Sequence, residues 1–579
     1  MAHLTRLLLL TASSAAACAA VHKASVEAPP PSKEVVVERP ASGPAVAEYL
    51  RARLAQGVDD WARAAEALKL AVVHDPDSSQ LRVSYAEALA HVGRLGPAEV
   101  EARRAVDLAK GGAAAADAYL TLGKILAISD RIPPALEALD KAVRFEGELA
   151  RSRGPEGEAR FDPEPWRALA RVRLETGDAA GAAAACEQLG LLDASYGALA
   201  LRELGGKLLV EKKADGAEKL FRLSVKLVPS DPEGLKLLAQ VDEILGRFKE
   251  ARDAWGRALL ADPDDGEVLL AVGQLALRDG QVPSARAYFR QLLQTAPDER
   301  EARLHIAAAW LDAKLPGESL DVLSQEGDDG RVLYLRGMAF ERLHRWNEAA
   351  DALVRVQPGS GDLYGGARAA LAYALSRAGR PGDGIRAVRS ALQAHPRDLT
   401  LLYALGEAFD RAGQRDAAIR QMRQVLTLKA DHAEALNYIG YSYAERGENL
   451  DEAEALLKRA LEIEPDNGYY LDSLGWIYFK KGQLELAVKT LEQAVARAGK
   501  EATILEHLGD TYRAARRPAD AAKSYRSALE ASGPEADDPD VTPASRATVE
   551  RKLRELGQRM PSSTSVKRAP TSDSVPGTL

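Results

Sequence analysis

The chain has 579 residues and a formal net charge of −8, with no basic stripe to neutralise phosphates, which excludes a general nucleic-acid binder. Its two cysteines, Cys18 and Cys186, stand far apart with no CxxC or Cys/His ligand spacing, which excludes a structural zinc site. Aromatic residues make up only 5% against 46% hydrophobic and 28% charged, so the core must come largely from Ala and Leu, the composition of helices packed close together.

The first element is an address. "MAHLTRLLLLTASSAAACAA" has Arg6, then Leu7 to Leu10, then small residues, the order of a secretory signal peptide and too short to span a membrane stably. The segment Ala15-Ala16-Ala17-Cys18 resembles a bacterial lipobox, although Ala15 stands where that motif usually has Leu. The resemblance implies cleavage after residue 17 and acylation of Cys18; Ala19, rather than Asp, implies sorting to the outer membrane. Ordinary cleavage near an Ala-x-Ala site, releasing the chain into the periplasm without lipid, is the alternative reading. Residues 18–44 are Pro-rich and aperiodic and read as an extended tether.

From residue 45 to about 535 a repeat takes over. Pro229, Pro263 and Pro297 recur every 34 residues. A small residue is followed twelve later by Ala: Gly205 and Ala217, Ala239 and Ala251, Gly273 and Ala285, Gly406 and Ala418, Gly475 and Ala487, Gly509 and Ala521. Between Gly440 and Ala453 the spacing is 13, one extra turn residue. Small residues at a helix crossing let two backbones approach, so the helix-propensity loss at Gly475 is expected to be offset by packing against Ala487. This period of helix, turn and helix resembles the tetratricopeptide repeat family over most of the chain. The resemblance implies an all-α fold: a right-handed α-α superhelical solenoid of about fourteen units. Those units start near 45, 79, 116, 163, 198, 232, 266, 300, 330, 365, 399, 433, 468 and 502. Asp262-Pro263-Asp264 and Glu464-Pro465-Asp466 are expected to stop one helix and cap the next. A capping helix is expected over 541–560, with Val549, Leu553 and Leu556 inward and Arg546, Glu550, Arg551 and Arg554 toward water. Residues 561–579 read as a disordered tail.

Motifs for chemistry are decoys. "GYSYA" (440–444) sits inside a helical unit, without the strand-to-helix turn of a nucleophile elbow. "GSGDLYG" (359–365) lacks a dinucleotide loop's spacing and reads as an inter-repeat linker. Cys186 takes a large-residue position and reads as a buried, inert thiol. The expectation is a protein that is not an enzyme and needs no cofactor or metal.

Stacked repeats line a concave surface with their first helices, and such surfaces bind proteins or peptides. The family resemblance implies that the second, fifth, ninth and twelfth positions of each unit face this groove. Carried onto this sequence they give Tyr373, Tyr403, Asn437, Tyr441, Tyr469, Asp472, Trp476, Phe479, Glu506 and Arg513. Aromatic and Arg side chains are the types that carry binding hot spots; packing between neighbouring units is the alternative role. The Lys/Asn pattern that clamps a carboxylate terminus is missing.

The stretch from Leu436 to Val488, extra turn residue included, also resembles a family of large repeat lipoproteins of Gram-negative bacteria. That resemblance implies an outer-membrane adaptor facing the periplasm, presenting substrates to, or activating, a carboxy-terminal processing protease. A pilotin-like assembly factor for a pilus, secretion or motility complex is the alternative.

Overall fold

The computed structural model describes residues 42–152, 161–296, 298–360, 362–532 and 543–557. The signal-like segment, Cys18, the tether up to residue 41 and the final tail therefore lie outside the described residues; the end of the span expected as tether is instead helical, with Ser42 capping a helix that opens at Gly43. Among those described there are 29 α-helices and no strand. The first 28 form fourteen successive antiparallel hairpins, each beginning within a turn of the position the repeat implies. The chain divides into two compact units, Met1–Ala302 and Arg303–Leu579. Within each unit, hairpins pack on the hairpins next to them in sequence.

The crossing inside each hairpin has a rule the sequence shows only in part. Ala418, Ala453, Ala487 and Ala521 are fully buried, as small crossing residues should be. The side chain lying over each glycine, however, comes from a residue one turn beyond that alanine. A Cβ built on Gly475 would lie 2.6 Å from Leu491 Cγ, and one on Gly509 would lie 2.5 Å from Tyr525 Cε1. Gly406 stands against Met422, Gly440 against Leu457, Gly205 against Phe221 and Gly273 against Phe289 in the same way. The glycine makes room for a large side chain of the second helix, and Ala487 sets the backbone approach beside it.

Capping departs from expectation by one residue. Asp265 accepts from the backbone N–H groups of Glu267 and Val268, and Asn467 accepts from those of Tyr469 and Tyr470. Asp264 and Asp466 sit in the preceding turn. The extra residue after Gly440 is absorbed by two left-handed residues, Gly447 (φ 68°) and Asn449 (φ 49°), where the neighbouring turns have one. Gly365 and its three preceding residues begin helix Asp362–Arg377, so only the front of "GSGDLYG" is a linker.

Two second helices, Pro316–Leu323 and Trp346–Leu353, are cut to eight residues. Shortening exposes carbonyls that no longer have a helical partner. Arginines from the following helices meet them: Arg336 donates to the carbonyls of Leu323 (2.7 Å) and Glu326 (2.8 Å), and Arg368 to those of Leu353, Val354 and Val356.

The last helix, Pro543–Glu555, buries Val549 and Leu553 against the final hairpin. Arg546 faces water only in part. Its guanidinium donates to the carbonyls of Leu529 (2.8 Å) and Ser532 (2.9 Å), ending helix Pro518–Ala531. Among the described residues no helix is long and apolar enough to cross a membrane.

Candidate functional site: the inner face of the first helices, residues 330–514

Helices Gly330–Arg342, Asp362–Arg377, Leu399–Arg411, Ala433–Arg446, Gly468–Lys480 and Ala502–Ala514 are the first helices of six hairpins in the second unit. Their shared register sets the ten expected groove residues on one side, and the structure divides that set in two.

The later members are engaged with the protein itself. Trp476 is only 8% exposed; its Nε1 donates to Glu445 Oε1 at 2.7 Å, and its ring stacks on Phe479 (4.6 Å) and His507 (4.1 Å). Asp472 is buried and places its two carboxylate oxygens 3.0 and 3.1 Å from His507 Nδ1. Burial alone would lower the His507 pKa, but the Asp472 carboxylate overrides it and holds the imidazole above its ordinary value. The capping helix meets the end of the line: Lys552 donates to Glu506 (2.7 Å) and Asp510 (2.6 Å), and Arg513 pairs with Glu555 (3.3 Å). Tyr469 is exposed and its hydroxyl donates to Glu501 at 3.2 Å.

The earlier members keep binding capacity. Tyr373 lies under the Arg411 guanidinium at 4.4 Å, Tyr403 stacks on His432 at 5.3 Å, and Tyr441 stands half-buried 6.4 Å from His507. Burial, with Glu407 next, raises the Tyr403 pKa; burial, with Glu445 and Asp472 next, raises that of Tyr441, so both remain phenols. Asn437 Oδ1 is buried without a hydrogen-bond partner, and so is Glu341 Oε2. Burial pushes the Glu341 carboxyl up to about 7 and raises that of Glu407 as well. A buried polar atom without a partner costs about 1–3 kcal/mol.

Glu341 and Glu407 belong to this face and were missed by a search for aromatics. Glu407 holds the same register position as Tyr373, Tyr441 and Trp476, so the spacing already pointed to it. His507 sits one position past Glu506, off the groove register, and only three-dimensional packing brings it to Trp476.

Gly440–Ala444 lies within helix Ala433–Arg446, and no group of three His, Cys, Asp or Glu able to hold a metal occurs among the described residues. Cys186 is fully buried and its thiol is pushed up to about 12, chiefly by burial.

The tetratricopeptide repeat family model matches residues 237–300, 270–326, 369–414, 403–468 and 473–537. TPR repeat-containing protein PA4667 of Pseudomonas aeruginosa is 32% identical over 139 residues, 24% of this chain and 23% of that protein. Cellulose synthase 2 operon protein C of Komagataeibacter xylinus is 29% identical over 214 residues, 36% of this chain and 15% of that protein. The chain thus spans about a quarter or less of the length of these curated relatives. Among solved structures, the APC/C hetero-tetramer Cut9-Hcn1 is 13% identical, covering 89% of this chain and 97% of that one, with a TM-score of 0.36. The chain is an all-helical repeat protein. Its matched segments are tetratricopeptide repeats, a class that generally mediates contacts between proteins.

Proposed function

We propose that this chain is a non-catalytic scaffold that holds a protein partner along the inner face of residues 330–441. The carrying observation is the line of partly exposed tyrosines, Tyr373, Tyr403 and Tyr441, at groove positions of three successive first helices. Tyrosine supplies a large contact area at little entropic cost and is among the residue types that carry binding hot spots. Tyr441→Ala should lower partner retention in crosslinked cells at a temperature where circular dichroism shows the variant fully folded. Trp476→Ala should lower the melting temperature and leave retention per folded molecule nearly intact, since that ring is covered by its own protein. Equal retention by wild type and Tyr441→Ala contradicts the reading.

The scaffold is further proposed to be an outer-membrane lipoprotein facing the periplasm, anchored through Cys18. The signal-like start and the Pro-rich segment behind Cys18 support this reading. A palmitate analogue should label the wild type and not Cys18→Ser; equal labelling of both, or of neither, defeats the anchor. The resemblance of Leu436–Val488 to repeat lipoproteins supports a periplasmic carboxy-terminal processing protease and its substrates as the partners. Copurification of that protease with the wild-type chain tests the assignment.

A further inference from the structure

The net charge of −8 conceals a local exception on the outer side of the second unit. Helices Pro381–Ala394 and Arg415–Leu428 are the second helices of neighbouring hairpins. Between them they carry five arginines against two aspartates. Arg386 and Arg389 on the first helix recur 34 residues later as Arg420 and Arg423 on the next, and all four side chains are exposed. Equal register in adjacent hairpins sets both pairs on one side of the stack. Arg415 opens the second of these helices, and the turns add exposed Arg397 and Lys429, with Asp431 beside the latter. The nearby carboxylates are already engaged. Asp383 takes both Arg380 (2.7 Å) and Arg386, Asp416 pairs with Arg446 (2.7 Å), and Arg423 reaches Glu452 (2.5 Å). Arg389, Arg397, Arg415, Arg420 and Lys429 are left without an ion pair among the described residues. Elsewhere the repeat neutralises such cations on the helix itself: Arg103 pairs with Glu99, Lys141 with Glu137, Arg222 with Glu218 and Lys458 with Glu454, each four residues earlier. Four residues before Arg386, Arg389 and Arg423 stand Gly382, Ile385 and Ile419, so these helices lack that internal partner.

We propose that this outer face binds an acidic segment of a partner protein, laid across the two hairpins and separate from the inner-face contact. Charge complementarity carries the assignment. Four of the five unpaired cations are arginines, whose planar forks match carboxylates two bonds at a time. Arg415 and Lys429 stand at opposite ends of one helix, about 21 Å apart at 1.5 Å per residue, a span that about six residues of extended chain would cover. A lipid surface fits less well. A helix face that settles into a bilayer couples its basic residues to a broad apolar side, whereas the one exposed large apolar side chain on these two helices is Leu428 (38%).

Fluorescence anisotropy of labelled octaglutamate titrated with the full chain tests the assignment. The wild type should bind the peptide, and its affinity should fall steeply as salt rises from about 50 to about 300 mM. Arg389→Glu combined with Arg420→Glu should weaken binding at least about tenfold, since two attractions become repulsions. Both positions are exposed, so far-UV circular dichroism should not move. Arg103→Glu combined with Arg144→Glu makes the same change in net charge on exposed side chains of the first unit and should leave the affinity nearly unchanged. Tyr441→Ala should also leave it unchanged, which separates this surface from the inner face. A wild type that does not hold octaglutamate, or a first-unit pair that weakens it as much as the arginine pair, overturns the proposal. So does capture of phosphatidylglycerol vesicles or single-stranded DNA by the same arginines in preference to octaglutamate.

Discussion

Gly475 shows how one residue sets a hairpin. Alanine there would gain about 0.5–1 kcal/mol of helix propensity. Its Cβ would however lie 2.6 Å from Leu491 Cγ and 3.3 Å from the Leu491 backbone nitrogen, and the backbone cannot step aside cheaply. Gly475→Ala should therefore destabilise by about 1–3 kcal/mol, the usual cost of overpacking. In a Leu491→Ala background most of that cost should vanish, because only the 3.3 Å approach to the backbone nitrogen remains. Denaturant unfolding of the four proteins gives the coupling directly. Additive effects would mean that Leu491 is not what excludes the methyl group.

The same logic scales to whole helices, where neighbours are held by a few buried polar contacts set in an alanine- and leucine-rich wall. Asp472 and His507 join helices Gly468–Lys480 and Ala502–Ala514, with Glu445, Glu506, Trp476 and Tyr441 also facing the imidazole. His507 titrates above its ordinary value, so this contact contributes fully below about pH 6.5 and fades as pH rises through the folded-state pKa. Melting temperature should fall across the neutral range in the wild type, and the His507→Gln variant should show a shallower fall. Identical slopes would remove the ion pair from the stability account. These elements also mark how far the sequence could be read. Fourteen hairpins were legible because small residues at fixed spacing and turn prolines are local signals. The partner of each glycine was not, since Leu491 is one large aliphatic residue among many. Nor was the inward turn of Arg546, because the carbonyls it meets belong to another helix. The aromatic line was legible as a line, but Glu445 saturates Trp476 across a hairpin boundary, and no spacing rule reports that.

For the molecule as a whole, repetition supplies a scaffold and leaves function to the few positions where the repeat's own packing is incomplete. Two such places stand out: the partly exposed tyrosines Tyr373, Tyr403 and Tyr441, and the exposed leucines of the first helix. The central claim is that the inner face of the second unit binds a protein. A photoreactive phenylalanine analogue placed at Tyr441, compared with the same group at Arg497, tests it most directly. Arg497 lies on a second helix, exposed and paired with Asp466 at the surface (2.9 Å). Irradiation in cells should give a discrete adduct heavier than the chain and its dimer from position 441 and none from position 497. Adducts of equal yield from both positions, or from 497 alone, would contradict binding along this face.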